Sequence, residues 1–336
     1  MDIDVVVLWV DGSDPAWLSE KARYSDKKSE KANAANRFRD WGLMPYWFRA
    51  IEKYLPWVRT VHFVTWGHLP AFLNVNHPKL HIVRHEDFMP PETLPTFNSC
   101  SLELNLHRIE GLAEHFIYFN DDMFVTRPMR SEDFFEEKSG LPRAHFAEMP
   151  CYLRGILSAH EVAIARDIAI LNKWFPKEKM PLRKYFGQFC SRAYPLSDNV
   201  RNLILKCIFP TYYGGFRYFH VASALRKSTY EEVWEKEPDI LWHTSIQKFR
   251  NNECFNQYLF LWWQEASGQF APCRVSSAVK DITEDRLDEL CDRISHQRQD
   301  MICLNDSTEY VDFDKAVTRL RAAFEQILPE KSSFEC

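Results

Sequence analysis

Apolar residues along this chain follow two alternating rhythms. Residues 3–10, IDVVVLWV, form a β-branched run that stops at DGSDP, the pattern of a buried strand followed by a turn. Beyond RFRDWGL, Trp47, Ile51, Tyr54 and Leu55 recur at helical spacing up to Pro56, and TVHFVTW (60–66) and KLHIVRH (79–85) then read as two more strands. SCSLELNLHRIEGLAEH sets Leu102, Leu106, Ile109 and Ala113 on one stripe, which predicts a single helix closing near Gly111 and leading into the strand HFIYF at 115–119. Strand, helix, strand, strand, helix, strand predicts an α/β fold: a mostly parallel, Rossmann-like sheet with flanking helices.

The rhythm is lost over residues 131–215, where charged segments alternate with helical patterns such as SAHEVAIARDIAILNKWF. This stretch reads as a largely helical insertion, or cap, within a catalytic unit made of residues 1–130 and 216–336. From Phe219 a helical region is expected through NECFNQYLFLWWQEA, with LFLWW (259–263) assigned to core packing, and AVTRLRAAFEQIL closes the chain as an amphipathic helix.

Composition narrows the function classes. A 46% hydrophobic content over 336 residues supplies a large core, and a net charge of -5 without a basic, aromatic-interleaved run argues against nucleic acid as a partner. Nine cysteines, odd in number and never in a CxxC pair, indicate neither a disulfide framework nor a zinc site. The acidic start has too short an apolar run for a secretory signal, so the expected location is cytoplasmic. PKEKMPLRKYF (176–186) sets Lys177, Lys179, Arg183 and Lys184 beside Tyr185 and Phe186, which suits peripheral contact with an anionic inner membrane face.

The candidate chemistry gathers at strand ends. In HFIYFNDDMF, strand alternation forbids Asp121 and Asp122 from both pointing into the core, and two adjacent carboxylates repel unless a cation lies between them. DGSDP ends another apolar strand, so both acidic clusters are expected at one edge of the sheet, where Mg2+ or Mn2+ would offset the charge of a nucleotide-sugar diphosphate. Solvated turns are the bland alternative. Glu103 and His107, at i and i+4 beside Arg108, otherwise read as a surface ion cluster.

Four blocks, in order, carry a resemblance: IDVVVLWVDGSDP (3–15); RFRD (37–40) through TFNSCSLELNLHRIEGLAEHFIYFNDDMF; FRYFHVASALRKS to KFRNNECFNQY; and ICLNDS. The chain resembles the Stealth family of sugar-1-phosphate transferases, which includes bacterial capsule and surface-polysaccharide phosphotransferases and the catalytic subunit of the animal lysosomal-enzyme GlcNAc-1-phosphotransferase. The resemblance implies a GT-A-like sheet, a UDP-sugar donor, a lipid-linked glycan acceptor, and release of UMP with formation of a phosphodiester; a conventional glycosyltransferase releasing UDP is the alternative. It carries over Glu103, Asp122, His220 and Arg250 as catalytic positions, with His220 preferred to Asp122 as the base. Asp11, Gly12, Asp14, Arg39, Asn98 and Asn305 are implied around the nucleotide, and Asp121, Asp122 and Asp306 around Mg2+ or Mn2+. The chain departs from the family pattern at RFRDWGLM and at VTWG, where Trp66 replaces a common acid, which leaves the donor sugar open.

Overall fold

The computed structural model describes residues 1–25, 38–150, 159–306 and 312–336, so Arg37 and Cys151 lie outside the described residues. Strands β1 (Ile3–Leu8), β2 (Val61–Thr65), β3 (Leu80–Arg84) and β4 (His115–Asn120) are all parallel, and they alternate with helices α1 (Pro15–Tyr24), α2 (Met44–Tyr54), α3 (His85–Phe88) and α4 (Ser99–Glu103). After β5 (Met123–Val125) and the two-residue β6 (Arg143–Ala144) come α5 (Ala159–Trp174), α6 (Leu182–Lys184) and α7 (Leu196–Ile208). The chain then forms β7 (Ser223–Arg226), α8 (Lys227–Lys236), α9 (Pro238–Ser245), α10 (Tyr258–Ala266), β8 (Ala271–Pro272), β9 (Ser277–Ile282), α11 (Leu287–Ser295), β10 (Met301–Asp306) and α12 (Phe313–Ile327).

The central sheet has the order β3-β2-β1-β4-β7, and β7 is its antiparallel edge. Strand alternation divides its side chains between two cores. Val5, Val7, Phe63, Ile117 and Phe119 face α2, α11 and α12 through Phe48, Leu290, Leu320 and Phe324. Val6, Leu8, Val64, Phe116 and Tyr118 face the other way, packing with Tyr230, Phe260 and Trp263 and with Leu171, Tyr185 and Phe189 from the 131–215 stretch. That stretch therefore shares a core with the sheet. Each of these large side chains contributes about 1.5–3 kcal/mol by leaving water. LFLWW is core as expected, with Leu259, Phe260, Trp262 and Trp263 buried.

Two features differ from the sequence reading. The stripe from Leu102 to Ala113 is not one helix: α4 stops at Glu103 and a single 3-10 turn follows at Leu106–Arg108. Asn105 is the cause, because its fully buried amide donates to Ser101 O (2.8 Å) and Ser245 Oγ (2.9 Å) and competes with the helical ladder. Glu103 and His107 consequently do not share a helical face. The region after Phe219 begins with strand β7, because SALR pairs with the open side of β4 before the helices resume.

Polar contacts anchor the amino end of the sheet and the segment around Glu335. At the amino end the Asp4 carboxylate, wholly buried, accepts from Arg59 (2.8 Å from Nε), from the Ala113 amide (2.8 Å) and contacts His62 Nε2 (3.0 Å). At the other end of the sequence, Glu335 pairs with Arg49 (2.9 Å) and Phe334 packs on Phe48. A second sheet, β5-β10-β9, grows directly out of the NDD turn, and Leu304 N donates to Asp122 O at 2.9 Å.

Candidate active site

In the order β3-β2-β1-β4 the chain runs outward from β1 in one direction and then returns to its other side, so the segments that leave the paired carboxyl ends of β1 and β4 part from one another. Such a switch point leaves a crevice. Here it opens into a cavity of about 760 Å³. Trp9 and Val10 after β1, Val64 of β2 and the Asn120–Asp122 turn after β4 form its floor, with Leu304, Asn305 and Asp306 of β10 on one wall. Asn98, Ser99 and Glu103 of the α4 segment, Arg250 before α10, and Tyr218, His220 and Tyr258 line the rest. Residues far apart in sequence thus converge: Glu103, Asp122, His220 and Arg250 all line this one cavity.

Each of the four is held by its surroundings. Glu103 is buried, and its Oε2 accepts from the Gln257 amide at 3.2 Å. Arg250 donates from Nη2 to Ser99 Oγ at 2.6 Å, and the neighbouring Cys100 sulfur and Glu103 carboxylate hold its guanidinium more firmly protonated than usual. His220 has a positive φ of 44°, a backbone conformation that L residues rarely adopt, and its Nδ1 lies 2.5 Å from Tyr258 Oη. Tyr258 is buried, which pushes its phenol well above the ordinary range, with the charge of Glu103 adding to the effect; it stays neutral.

The NDD turn answers the alternation argument: Asp121 is open to the cavity, while Asp122 is half-buried. Both carboxyls are raised above the ordinary range. For Asp121, the enclosing protein is the main cause, with the charges of Asp122 and Asp40 adding to it. For Asp122, burial is the cause, opposed by a hydrogen bond from the Cys303 thiol. Asp122 Oδ1 is buried without a hydrogen-bond partner. Ligand atoms of Asp122, His220 and Cys303 lie within 4.8 Å of one another.

The residues implied around metal and nucleotide separate into groups. Asp306 does not stand free for a metal, because Arg39 holds it with a paired hydrogen bond (Nε to Oδ2 2.9 Å, Nη2 to Oδ1 2.5 Å). Cys303 is a poor ligand for a hard cation, and burial keeps its proton on. Asp121 and Asp122, the latter with its unsatisfied Oδ1, offer the hard carboxylate oxygens that suit a divalent cation. Arg39, Asn98 and Asn305 line the cavity; Asn98 also caps α4 and bonds Gln247 O, and Asn305 donates to Asp281 Oδ1 (2.6 Å).

Asp11, Gly12 and Asp14 are not among the lining residues. Asp11 accepts from Ser13, and Asp14 caps α1 by accepting from Trp17 N at 2.7 Å, as turn-forming acids do. Gly12 serves close packing: a Cβ there would lie 1.9 Å from Phe38 O. Sequence reasoning missed Tyr258, Ser99, Asp40 and Cys303. All four lie inside quoted blocks, Ser99 in TFNS, Tyr258 at the end of KFRNNECFNQY, Asp40 in RFRD and Cys303 in ICLNDS, and it is the contacts made in the fold that single them out.

Among the described residues no helix is long and apolar enough to cross a membrane. All described cysteines are free.

Comparison with known proteins follows the same lines. Residues 1–29 match Stealth protein conserved region 1 and residues 37–142 match conserved region 2. The chain is 36% identical to a capsular polysaccharide phosphotransferase WcwK of Streptococcus pneumoniae, covering 99% of this chain and 98% of that protein. It is 37% identical to the exopolysaccharide phosphotransferase cps2G of Lactiplantibacillus plantarum (99% and 96%) and 35% identical to the receptor polysaccharide phosphotransferase WefC of Streptococcus oralis (99% and 99%). Among solved structures, apo mouse xyloside xylosyltransferase 1 aligns with a TM-score of 0.36 at 11% identity, covering 91% of this chain and 98% of that one, too loose a likeness to carry an argument. With identities of 35–37% along nearly its whole length and both conserved regions matched, the chain belongs to the Stealth family.

Proposed function

We propose that the protein transfers a hexose- or N-acetylhexosamine-1-phosphate from a UDP-sugar to a hydroxyl of a glycan acceptor, releasing UMP and leaving a phosphodiester in a capsular or cell-surface polysaccharide. The observation that carries this reading is the convergence of Glu103, Asp122, His220 and Arg250 on one cavity at the switch point of the sheet. The names of the full-length relatives, all polysaccharide phosphotransferases, support it. The acceptor is read as lipid-linked, the location as cytoplasmic with peripheral membrane contact, and residues 131–215 as an insertion in a catalytic unit of residues 1–130 and 216–336.

In this reading the acceptor oxygen attacks the phosphorus next to the donor sugar. Its proton passes to His220, and the bond from that phosphorus to the oxygen bridging to UMP breaks, so UMP departs with the bridging oxygen. For Nε2 to receive a proton, Nδ1 must already carry one, and Nδ1–H then donates to Tyr258 Oη. The planar fork of Arg250 suits two phosphate oxygens during in-line displacement. Glu103 holds the charge of Arg250 and the Gln257 backbone in place. A divalent ion at Asp121 and Asp122 would neutralise the diphosphate.

The test is a donor labelled at the sugar-proximal phosphate. Label recovered in the glycan, with UMP as the nucleotide product, is the expected result. Label recovered in UDP would make the protein a glycosyltransferase acting at the anomeric carbon.

A further inference from the structure

Helix α7 is inverted. A surface helix ordinarily buries its apolar stripe and shows its polar one. Here the inward positions are Asp198, Asn202 and Leu205. Asp198 is held by His145 (2.9 Å), Arg201 (2.6 Å) and Arg217 (3.1 Å), and Asn202 by the Glu148 amide (2.8 Å) and Phe189 O (2.7 Å). These buried bonds fix the orientation of the helix. The outward positions are Leu196 (77% exposed), Val200 (46%), Ile204 (50%) and Ile208 (61%), and Phe209 just beyond is 52% exposed. They follow one another at helical spacing and carry no charge. Phe186, also more than half exposed, comes from the segment that packs beside α7 through Tyr185 and Asn202. The stripe from Leu196 to Phe209 is an exposed apolar surface of the kind that marks a docking site.

The charge around it selects the occupant. Between residues 176 and 212 the sequence has seven Lys or Arg and two acids, Glu178 and Asp198. Asp198 is buried and paired, leaving Glu178 as the exposed acid against the exposed Lys179, Arg183 and Arg192. Lys177, expected from the sequence to be part of a membrane-facing basic run, is instead buried on Glu148 (2.6 Å), and Lys184 is turned to Ser267 O. A two-fold dimer through α7 would bring the basic 176–212 stretches of two copies together. An anionic surface with an apolar interior satisfies both the stripe and the rim.

We infer that the outward face of α7, with Phe186, is a docking surface for an anionic lipid bilayer, with α7 lying in the interface plane. This surface is independent of the reaction assigned to the cavity. The experiment uses the full chain with vesicles of phosphatidylcholine alone and of phosphatidylcholine mixed with phosphatidylglycerol. The wild type is expected to sediment with the mixed vesicles and not with phosphatidylcholine alone. Val200→Glu/Ile204→Glu and Arg183→Glu/Arg192→Glu should each weaken partitioning by about tenfold or more. Both should keep the wild-type circular dichroism spectrum and wild-type transfer to a water-soluble acceptor, since none of these residues lines the cavity. Wild type remaining in the supernatant, or Val200→Glu/Ile204→Glu sedimenting fully, overturns the inference. A wild-type dimer seen by light scattering and dissolved by Val200→Glu/Ile204→Glu, without vesicle binding, also overturns it and gives the face to a second copy. Vesicle binding without any sugar-phosphate transfer would instead count against the proposed reaction alone.

Discussion

Replacing Tyr258 with Phe tests whether His220 is held for proton transfer. The ring of Tyr258 is buried and stacks on Trp262 with centroids 5.2 Å apart, and Phe preserves that packing. What is lost is the oxygen 2.5 Å from His220 Nδ1. Because a neutral hydrogen bond contributes about 1 kcal/mol net, the melting temperature should fall by no more than about 3 °C. The proposed reaction would feel more, because in it His220 becomes an imidazolium and a hydrogen bond to a charged group is worth about 1.5–3 kcal/mol. At about 1.4 kcal/mol per decade, kcat should drop by roughly 10- to 150-fold. KM should stay within about threefold, since the oxygen acts on the base rather than on the bound donor. The backbone of His220 reinforces the expectation: a left-handed φ costs about 1–2 kcal/mol for an L residue and leaves the ring dependent on its neighbours for orientation. Initial rates of nucleotide release, measured beside thermal melts, are the assay. A variant melting like wild type with kcat within about twofold would refute the role given to the Tyr258–His220 contact.

Two other outcomes follow from the polar groups of the sheet. Asp122→Asn keeps the volume of a side chain whose Oδ1 has no hydrogen-bond partner, so it should fold normally while turnover in the same assay falls by about a hundredfold or more; normal turnover would remove Asp122 from the chemistry. For Asp4, burial alone would raise the carboxyl, but Arg59, His62 and the Ala113 amide outweigh it and lower the pKa from 3.8 to about 2. A depressed carboxylate stabilises the fold above its unfolded value and loses that contribution as pH falls from near 4 towards 2, an effect of about 2 kcal/mol. Guanidinium unfolding of wild type and Asp4→Asn should therefore differ at pH 7 and converge in strong acid; a gap that persists at low pH would contradict this account.

The central strands were legible because each is a short run rich in β-branched and aromatic residues between turn residues, and the NDD turn because like charges at a strand end demand an explanation. What escaped depended on contacts distant in sequence. Asn105 ends α4 by bonding Ser245, so the apolar stripe around it overstates the helix. SALR is too short to announce β7, which exists because β4 offers it an open edge. Tyr258 lies in a run that reads as core, and it is core except for its oxygen. The acids of DGSDP drew attention by composition, yet a helix cap and a turn account for Asp14 and Asp11. The apolar positions of α7 suggest an ordinary buried stripe, and only Asp198 and Asn202 turned inward reveal the reversal.

The bridge between Arg39 and Asp306 also sets a time. The partners are 267 residues apart, so at a synthesis rate of about 5–20 residues per second a ribosome takes roughly 15–50 s to deliver the second after the first. Until then β10 is missing, the cavity lacks the wall formed by Leu304, Asn305 and Asp306, and Arg39 has no carboxylate to receive it. A nascent chain can pair β1, β2 and β4 early, yet the cavity stays unwalled on that side until β10 emerges. Closure of the cavity is thereby coupled to synthesis of β10, and a product cut short before residue 301 carries the central sheet without that wall.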